Sequence, residues 1–242
     1  MYTYVFRLLC ALLVGGLLAT CSGEGNVDVG YKGFSAPVDS LLRDTTQQML
    51  YVDSMRLEVL KATNDTDRVR WLNELGGIWR GPQGRIMADE AKRISTTNGD
   101  KYGIADSEMR IAQCLIRENK YKLADSVIGV AEVLAKQGKY NYILSRLYVM
   151  KGDVQRFQGN STVAIPLFKQ GINLAEERNY QDVESYGYSS LADAYQLMHK
   201  YDSTRYFINK AIVIAKRTND KMRLSLSYTI MAVLCRFESK MD

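Results

Sequence analysis

The sequence contains a single histidine, His199, and only four cysteines among its 242 residues. A serine or cysteine nucleophile needs a base beside it, and one histidine in a turn serves this purpose poorly. Zinc sites require a cluster of histidine and cysteine ligands, and no such cluster surrounds Cys114 or Cys235. His199 is therefore interpreted as a surface residue, and we expect no catalytic residues, no metal and no cofactor.

Glycine motifs that cradle phosphate are also missing from the sequence. Gly76 and Gly81 have the spacing of a phosphate-binding loop, but Pro82 and Gln83 follow where the loop requires lysine and serine or threonine. The dinucleotide fingerprint Gly-x-Gly-x-x-Gly does not occur. These two absences argue against nucleotide-dependent chemistry.

The net charge of +5 arises from 32 basic and 27 acidic residues that are mixed along the chain. Nucleic-acid binding would instead gather basic residues on one face, so we expect no nucleic-acid partner. Only three prolines are present, and 46% of the residues are hydrophobic without the alternation that is typical of strands. The composition therefore favours a helical protein with a core of one or two domains.

Residues 1–21 have the parts of an export signal, namely Arg7, a short apolar run and a small-residue exit. The sequence Leu18-Ala19-Thr20-Cys21 resembles the lipobox of bacterial lipoproteins, although Thr20 departs from it. The resemblance implies lipid attachment at Cys21 and a protein anchored in the bacterial cell envelope, facing the periplasm. An uncleaved anchor or cleavage by ordinary signal peptidase is the alternative. Residues 22–36, rich in small and polar residues, are expected to form a flexible tether.

In the C-terminal part of the chain, residue types return every forty positions, and such a period is typical of solenoids. An aromatic column and five columns of small or apolar residues share one register: Tyr148, Tyr188, Tyr228; Ala112, Gly152, Ala192, Ala232; Ala124, Ala164, Thr204; Ile128, Phe168, Ile208; Ala131, Gly171, Ala211; and Ala135, Ala175, Ala215. Small residues at fixed positions allow two helices to approach closely. The columns therefore predict a repeated pair of antiparallel helices.

The order of residue types resembles the tetratricopeptide repeat, most clearly from Tyr188 through Leu191, Ala192 and Tyr195 to Ala211. The period of forty exceeds the usual thirty-four of that family, and no proline closes a unit. The resemblance implies an all-α fold, a right-handed α-α superhelix. It also assigns three repeats and an unpaired C-terminal helix to residues 99–242.

Residues 37–98 are expected to form a helical N-terminal cap with one degenerate repeat. A first helix carries its apolar face on Val38, Leu42, Met49, Val52 and Val59. Asp65 or Thr66 is predicted to cap the next helix. A break at residues 81–84 then precedes a return helix over residues 86–95.

In tetratricopeptide proteins the first helix of each pair lines the concave surface. The resemblance carries the candidate groove residues onto Gln113, Arg117, Arg146, Asp153, Arg156, Tyr186, Asp193 and Gln196. Three arginines with tyrosine and amides suit an extended peptide or an acidic segment. The protein is thus interpreted as a non-enzymatic protein-binding scaffold, and its similarity to the extracytoplasmic repeat modules of bacterial membrane kinases and regulators implies a sensing or adaptor role in signalling. The alternatives are an outer-membrane assembly lipoprotein and a glycan-binding lipoprotein.

Two expectations concern the end of the sequence. Apolar side chains surround the helix predicted from about residue 222 to 239 on nearly all sides, and such a helix is normally buried. We therefore expect self-association through this helix. Cys114 and Cys235 lie three repeats apart, too far for a disulfide when helices pack about 8–10 Å apart, and both are predicted to be small buried hydrophobic residues.

Overall fold

The computed structural model describes residues 34–35, 38, 41–42, 50–79 and 82–238, and those from Ser35 onward belong to one compact unit. The predicted signal segment, Cys21, Met49 and all of the tether except Phe34 and Ser35 lie outside the described residues. Ten helices have described boundaries: α1 Leu50–Lys61, α2 Asp65–Ile78, α3 Pro82–Thr97, α4 Lys101–Arg117, α5 Tyr121–Gly138, α6 Asn141–Phe157, α7 Ser161–Arg178, α8 Gln181–Leu197, α9 Tyr201–Arg217 and α10 Lys221–Glu238.

These helices pack in the order in which they follow one another along the chain. Each contacts the next, and the even-numbered helices from α2 to α10 also contact one another in sequence. The described residues contain no strand. The fold is therefore an all-α helical-repeat solenoid, as the sequence predicted. We call the surface formed by the even-numbered helices the inner face.

A residue with left-handed backbone conformation follows each helix from α3 to α9. Residues with positive φ recur every twenty positions, at Gly99, Asn119, Lys139, Gly159, Asn179, His199 and Asn219. At each of them, the amide of the following residue donates to a carbonyl five residues earlier, as from Tyr180 to Ala175 at 2.9 Å. This bond satisfies a carbonyl that the end of the helix leaves unpaired. The forty-residue period thus consists of two helices that end in the same way.

The small-residue columns lie where neighbouring helices approach most closely. A Cβ atom on Gly171 of α7 would lie 2.7 Å from the carbonyl oxygen of Ser145 in α6, so only glycine fits there. Phe168 is completely buried and packs over Gly152, which leaves no space for a side chain. Ala192 is also completely buried. The alternation of small and large residues predicted from the columns is confirmed.

The N-terminal helices differ from the expectation at the cap of α2 and at the bounds of α3. Val38, Leu42, Val52 and Val59 are buried, as the predicted apolar face requires. The cap of α2, however, is Asn64 rather than Asp65 or Thr66. Its side chain accepts a hydrogen bond from the amide of Asp67 at 2.8 Å, which an amide oxygen one residue earlier can do equally well.

Helix α3 begins at Pro82 and continues to Thr97, four residues earlier and two residues later than the return helix predicted over residues 86–95. Proline is compatible with a first turn because the amide there has no partner in the helix. The break between α2 and α3 falls between Ile78 and Pro82, earlier than the predicted break at residues 81–84, because residues 82–84 already belong to α3.

Helix α10 buries one side only. Leu234 and Ser227 are fully buried, whereas Tyr228 is 46% exposed and Cys235 is exposed. The prediction that Cys235 is buried is therefore wrong, because no helix among the described residues covers its side of α10. Cys114 is buried as predicted, and its thiol donates to the carbonyl of Gly76 at 3.4 Å. No described helix is both long and apolar enough to span a bilayer.

Candidate partner-binding face

Four of the predicted groove residues meet on the inner face between α6 and α8. Arg156 donates from Nη2 to Oδ1 of Asp153 in its own helix at 3.0 Å, and from Nη1 to Asp193 in α8. The phenol of Tyr186 in α8 donates to the second oxygen of Asp153. The side chains of Arg156 and Asp153 are only 12% and 5% exposed. This cluster joins two successive repeats through charged hydrogen bonds.

A second cluster on the same two helices contains the predicted Arg146. Tyr142 donates to Oδ2 of Asp182 at 2.7 Å, and the guanidinium of Arg146 lies 3.3 Å from the same oxygen. Arg146 also lies over the Tyr142 and Tyr186 rings, with centroid distances of 5.8 and 6.0 Å. Its side chain is 10% exposed, so Arg146 acts as a bridge between repeats rather than as an exposed charge.

The same arrangement links α2 to α4. Arg110 donates to Glu74 at 2.8 Å, and Asn73 donates to Asp106 at 2.9 Å. Arg117, a predicted groove residue, donates to the carbonyl of Gly77 at 2.6 Å. Polar bonds therefore join α2 to α4 and α6 to α8 along one face.

Burial and charge pairing determine the electrostatics of these clusters. Burial raises the pKa of Asp106 and of Asp193 above the ordinary value, although Arg110 and Arg156 oppose the shift. Burial opposes the charge on Arg146, but Tyr142 and Asp182 outweigh it and raise its pKa. Arg110, Arg146 and Arg156 each lie beside at least one carboxylate, so these clusters carry no excess positive charge despite the basic net charge of the chain.

Several buried polar atoms on the inner face have no hydrogen-bond partner among the described residues. They include Oε1 of Gln113, Oε1 of Gln196 and Nε of Arg146. Gln113 stands forty residues before Asp153, and Gln196 forty residues after Arg156, so both belong to the columns that form the clusters. Two acceptors and one donor are thus unpaired on the face where a ligand was predicted.

Sequence reasoning missed four residues of this face. Tyr142 and Asp182 complete the Arg146 cluster, Arg110 forms the equivalent bridge to α2, and the guanidinium carbon of Arg223 lies 4.2 Å over the Tyr186 ring. The forty-residue spacing of Tyr142 and Asp182 could have identified this pair. Which residues bond across repeats depends on side-chain direction, and the column pattern does not determine that.

His199 is exposed, as predicted, and its Nδ1 lies 3.0 Å from the Tyr201 hydroxyl. It is one of the left-handed residues between helices, with φ of 56°. In the described ranges, no group of three or more histidine, cysteine, aspartate or glutamate side chains is placed to hold a metal ion.

Comparison with known proteins gives a fold but not a family. No protein-family model matches the sequence, and no curated protein matches it. Among solved structures, the chain is similar to the crystal structure of aspartyl phosphate phosphatase F from Bacillus subtilis, with a TM-score of 0.60 and 15% identity. The chain is a helical-repeat protein. The match covers 76% of this chain and 52% of the Bacillus subtilis protein, so this chain spans about half of that length, and at this identity the likeness shows the fold alone.

Proposed function

We propose that this protein is a non-enzymatic scaffold of the tetratricopeptide type, and that its inner face binds an extended segment of another protein. The observation that carries this proposal is the set of unpaired polar atoms on Gln113, Gln196 and Arg146. A buried polar group without a partner costs about 1–3 kcal/mol. A peptide backbone supplies both amide donors and carbonyl acceptors, so it suits two amide oxygens and one guanidinium donor.

The ion pairs on the inner face indicate which kind of peptide segment would bind there. Arg146 and Arg156 already bond to Asp182, Asp153 and Asp193. A strongly acidic ligand would have to compete with these carboxylates. We therefore propose that the ligand is an extended peptide held mainly by backbone hydrogen bonds, and not a segment selected for its negative charge.

The same pairing supports a role other than catalysis. An acid–base catalyst needs a titrating group in reach of the substrate, whereas Asp153 is held by both Arg156 and Tyr186. The Bacillus subtilis protein of the similar structure is named as a phosphatase. A fold likeness at 15% identity is no ground for extending that activity to this chain.

We further propose that the scaffold is displayed in the bacterial cell envelope by a lipid on Cys21, facing the periplasm. This proposal depends on the lipobox-like sequence of residues 18–21. A sensing or adaptor module in a signalling system fits such a placement, because a peptide-binding face outside the membrane can report a periplasmic partner.

Site-specific crosslinking tests the proposed binding face. A photoreactive amino acid is placed at Gln113 or Gln196 on the inner face and, as the matched control, at Val133 or Val213, which are exposed on α5 and α9. After illumination in cells, the adducts are identified by mass spectrometry. We expect the same protein to be recovered from both inner positions and from neither control position.

Two variants then test the hydrogen bonds. Gln196→Leu with the photoreactive residue at position 113, and Gln113→Leu with it at position 196, should each reduce the inner-face adduct at least tenfold while the melting temperature stays within about 2 °C, because leucine removes an acceptor that has no protein partner. Equal crosslinking from all four positions, or adducts with polysaccharide alone, would contradict a peptide-binding inner face. The identity of the adduct also separates signalling from membrane assembly.

A further inference from the structure

No described helix covers the side of α10 that corresponds to the side of α8 on which α9 packs. In α8, Ser185 donates to the Ala211 carbonyl of α9, and Tyr188 and Tyr195 both stack on Phe207 of the same helix. The residues forty positions later on α10 are exposed: Ser225, Tyr228 and Cys235. Ser225 and Tyr228 belong to a shallow groove lined by Lys221, Leu224, Ser225, Tyr228, Thr229 and Ala232.

The helix pairs α6–α7 and α8–α9 show which side chains fit against this groove. Phe168 of α7 packs on Gly152 of α6, and three residues later Gly171 allows the backbone of α7 to approach Ser145. Ile208 and Ala211 repeat this pair of residue types in α9, and both are completely buried. Ala232 and Ser225 of α10 stand at the positions of Gly152 and Ser145. Ala232 and Ser225 are therefore the small residues of the groove. The helix that covers them should carry a large apolar residue and, three positions later, a small residue.

Charge determines which helix fits best. The Tyr188 hydroxyl donates to Glu176 of α7 and accepts from Lys210 of α9 at 3.2 Å, so an acid on one side is matched by a base on the other. At α10 the residue equivalent to Glu176 is Lys216, whose Nζ lies 5.9 Å from the centre of the Tyr228 ring. Because the fixed charge is now positive, the incoming helix should carry a carboxylate where α9 carries Lys210.

A second copy of the chain is a poor occupant of this groove. Lys221 lines the groove, Lys216 lies beside its Tyr228, and none of the residues that line the groove is acidic. Two α10 helices lying face to face would bring like charges together, which is unfavourable. The charge argument thus selects an acidic helix over the self-association that apolarity alone predicted.

We propose that the open face of α10 binds an acidic amphipathic helix of a partner protein, in the position that α7 takes on α6 and α9 takes on α8. Its apolar stripe covers Tyr228 and Ala232, and a carboxylate faces Lys216. This site lies on another side of the even-numbered helices from the inner-face clusters, so it goes beyond the proposed peptide binding and does not depend on it.

Peptides copied from α7 test the proposal, since α7 packs on α6, whose Tyr148 lies beside Lys136 of α5, the lysine equivalent to Lys216. The probes are two fluorescent peptides of residues 160–179, one with Gln170→Glu and its matched control with Gln170→Lys; residue 170 is equivalent to Lys210. Binding to the full chain is measured by fluorescence anisotropy. We expect the glutamate peptide to bind about tenfold more tightly, and the preference to decrease at high salt.

Two protein variants complete the experiment. Lys216→Glu should reverse the preference between the peptides, and Ala232→Leu should abolish binding of both without lowering the melting temperature. Equal affinity of the two peptides, or no binding of either, would overturn the proposal. A dimer detected by light scattering without peptide, and dissociated by Tyr228→Glu, would overturn it as well, because a second copy would then occupy the groove.

Discussion

Ala192 is completely buried in α8, whereas Ala232, which occupies the same position of the repeat forty residues later, is exposed on α10. The two alanines have the same side chain on the same kind of helix, and they differ in whether another helix covers them. Replacing each of them with leucine therefore separates the cost of overpacking from the effect of the substitution itself.

We predict that Ala192→Leu lowers the free energy of unfolding by about 1–3 kcal/mol, because three additional carbons must fit between packed helices. Ala232→Leu is the matched control and should change it by less than about 0.5 kcal/mol, as most surface substitutions do. Urea denaturation monitored by circular dichroism measures both. Equal losses in the two variants would show that α10 is covered in solution.

Gly171 and Gly129 provide a second pair of matched positions for substitution. Gly171→Ala should destabilise the protein by about 1–3 kcal/mol, since its Cβ would lie 2.7 Å from the Ser145 carbonyl oxygen and 2.8 Å from Val149. Gly129 lies in the middle of α5, and a methyl group there would meet no atom within 4 Å, so Gly129→Ala should stabilise by up to about 1 kcal/mol. Thermal denaturation of both variants checks the opposite signs. A stabilised Gly171→Ala variant would contradict the close approach of α6 and α7.

The third prediction concerns Arg156, which the sequence placed in an exposed groove and the structure places in a buried cluster. Arg156→Ser should lower the free energy of unfolding by about 3 kcal/mol, because Asp153 is left buried with only Tyr186 as partner. The matched control is Arg70→Ser, since Arg70 also pairs with an aspartate three residues earlier but its side chain is 62% exposed. Its loss should cost less than about 1 kcal/mol. Chemical denaturation compares them, and equal costs would mean that burial does not strengthen the pair.

The fourth prediction is a pH dependence at Glu132, which accepts hydrogen bonds from Lys136 and from Lys151 of the next helix. Burial alone would raise the pKa of this glutamate, but the two lysines outweigh it and lower the pKa below the ordinary value of about 4.3. A lowered folded-state pKa contributes stability above the unfolded pKa, and this contribution is lost as the pH falls through the folded-state value.

We therefore expect Glu132→Gln to destabilise by about 1 kcal/mol at pH 7. The difference from the parent protein should decrease below about pH 4.3 and vanish once Glu132 is protonated. Urea titrations at a series of pH values measure it. A difference that grows as the pH is lowered would have the wrong sign for a glutamate stabilised by lysines.

The fifth prediction concerns Cys21. Cys21→Ala should move the protein from the detergent-soluble membrane fraction to the soluble periplasm, or leave it unprocessed, because the thiol is the proposed lipid acceptor. Cys10→Ala, in the apolar run of the same segment, is the matched control and should partition like the parent. Fractionation and immunoblotting report the result, and normal processing with unchanged membrane partition of Cys21→Ala would refute lipid attachment.

The sequence predicted the packing between helices better than the chemistry of the inner face. Gly152 and Phe168 define a close contact by their sizes, and size can be read from residue type alone. Arg156 and Asp193 were recognised as residues of one face, but their mutual bond depends on the offset between helices. Cys235 was predicted incorrectly because no described helix covers its side of α10, and residue type does not reveal which side of a helix is covered.

The regular spacing of the left-handed residues limits which insertions and deletions the chain tolerates. A single residue inserted in the middle of α6 would rotate the rest of that helix by about 100°, and Arg156 would then point away from Asp193. Removing or duplicating forty residues between equivalent turn positions, such as Asn179 and Asn219, keeps every downstream residue in the same register of the repeat. Change in the length of this protein should therefore occur in whole repeats, and a recombinant chain with one duplicated unit should fold with the same helix ends.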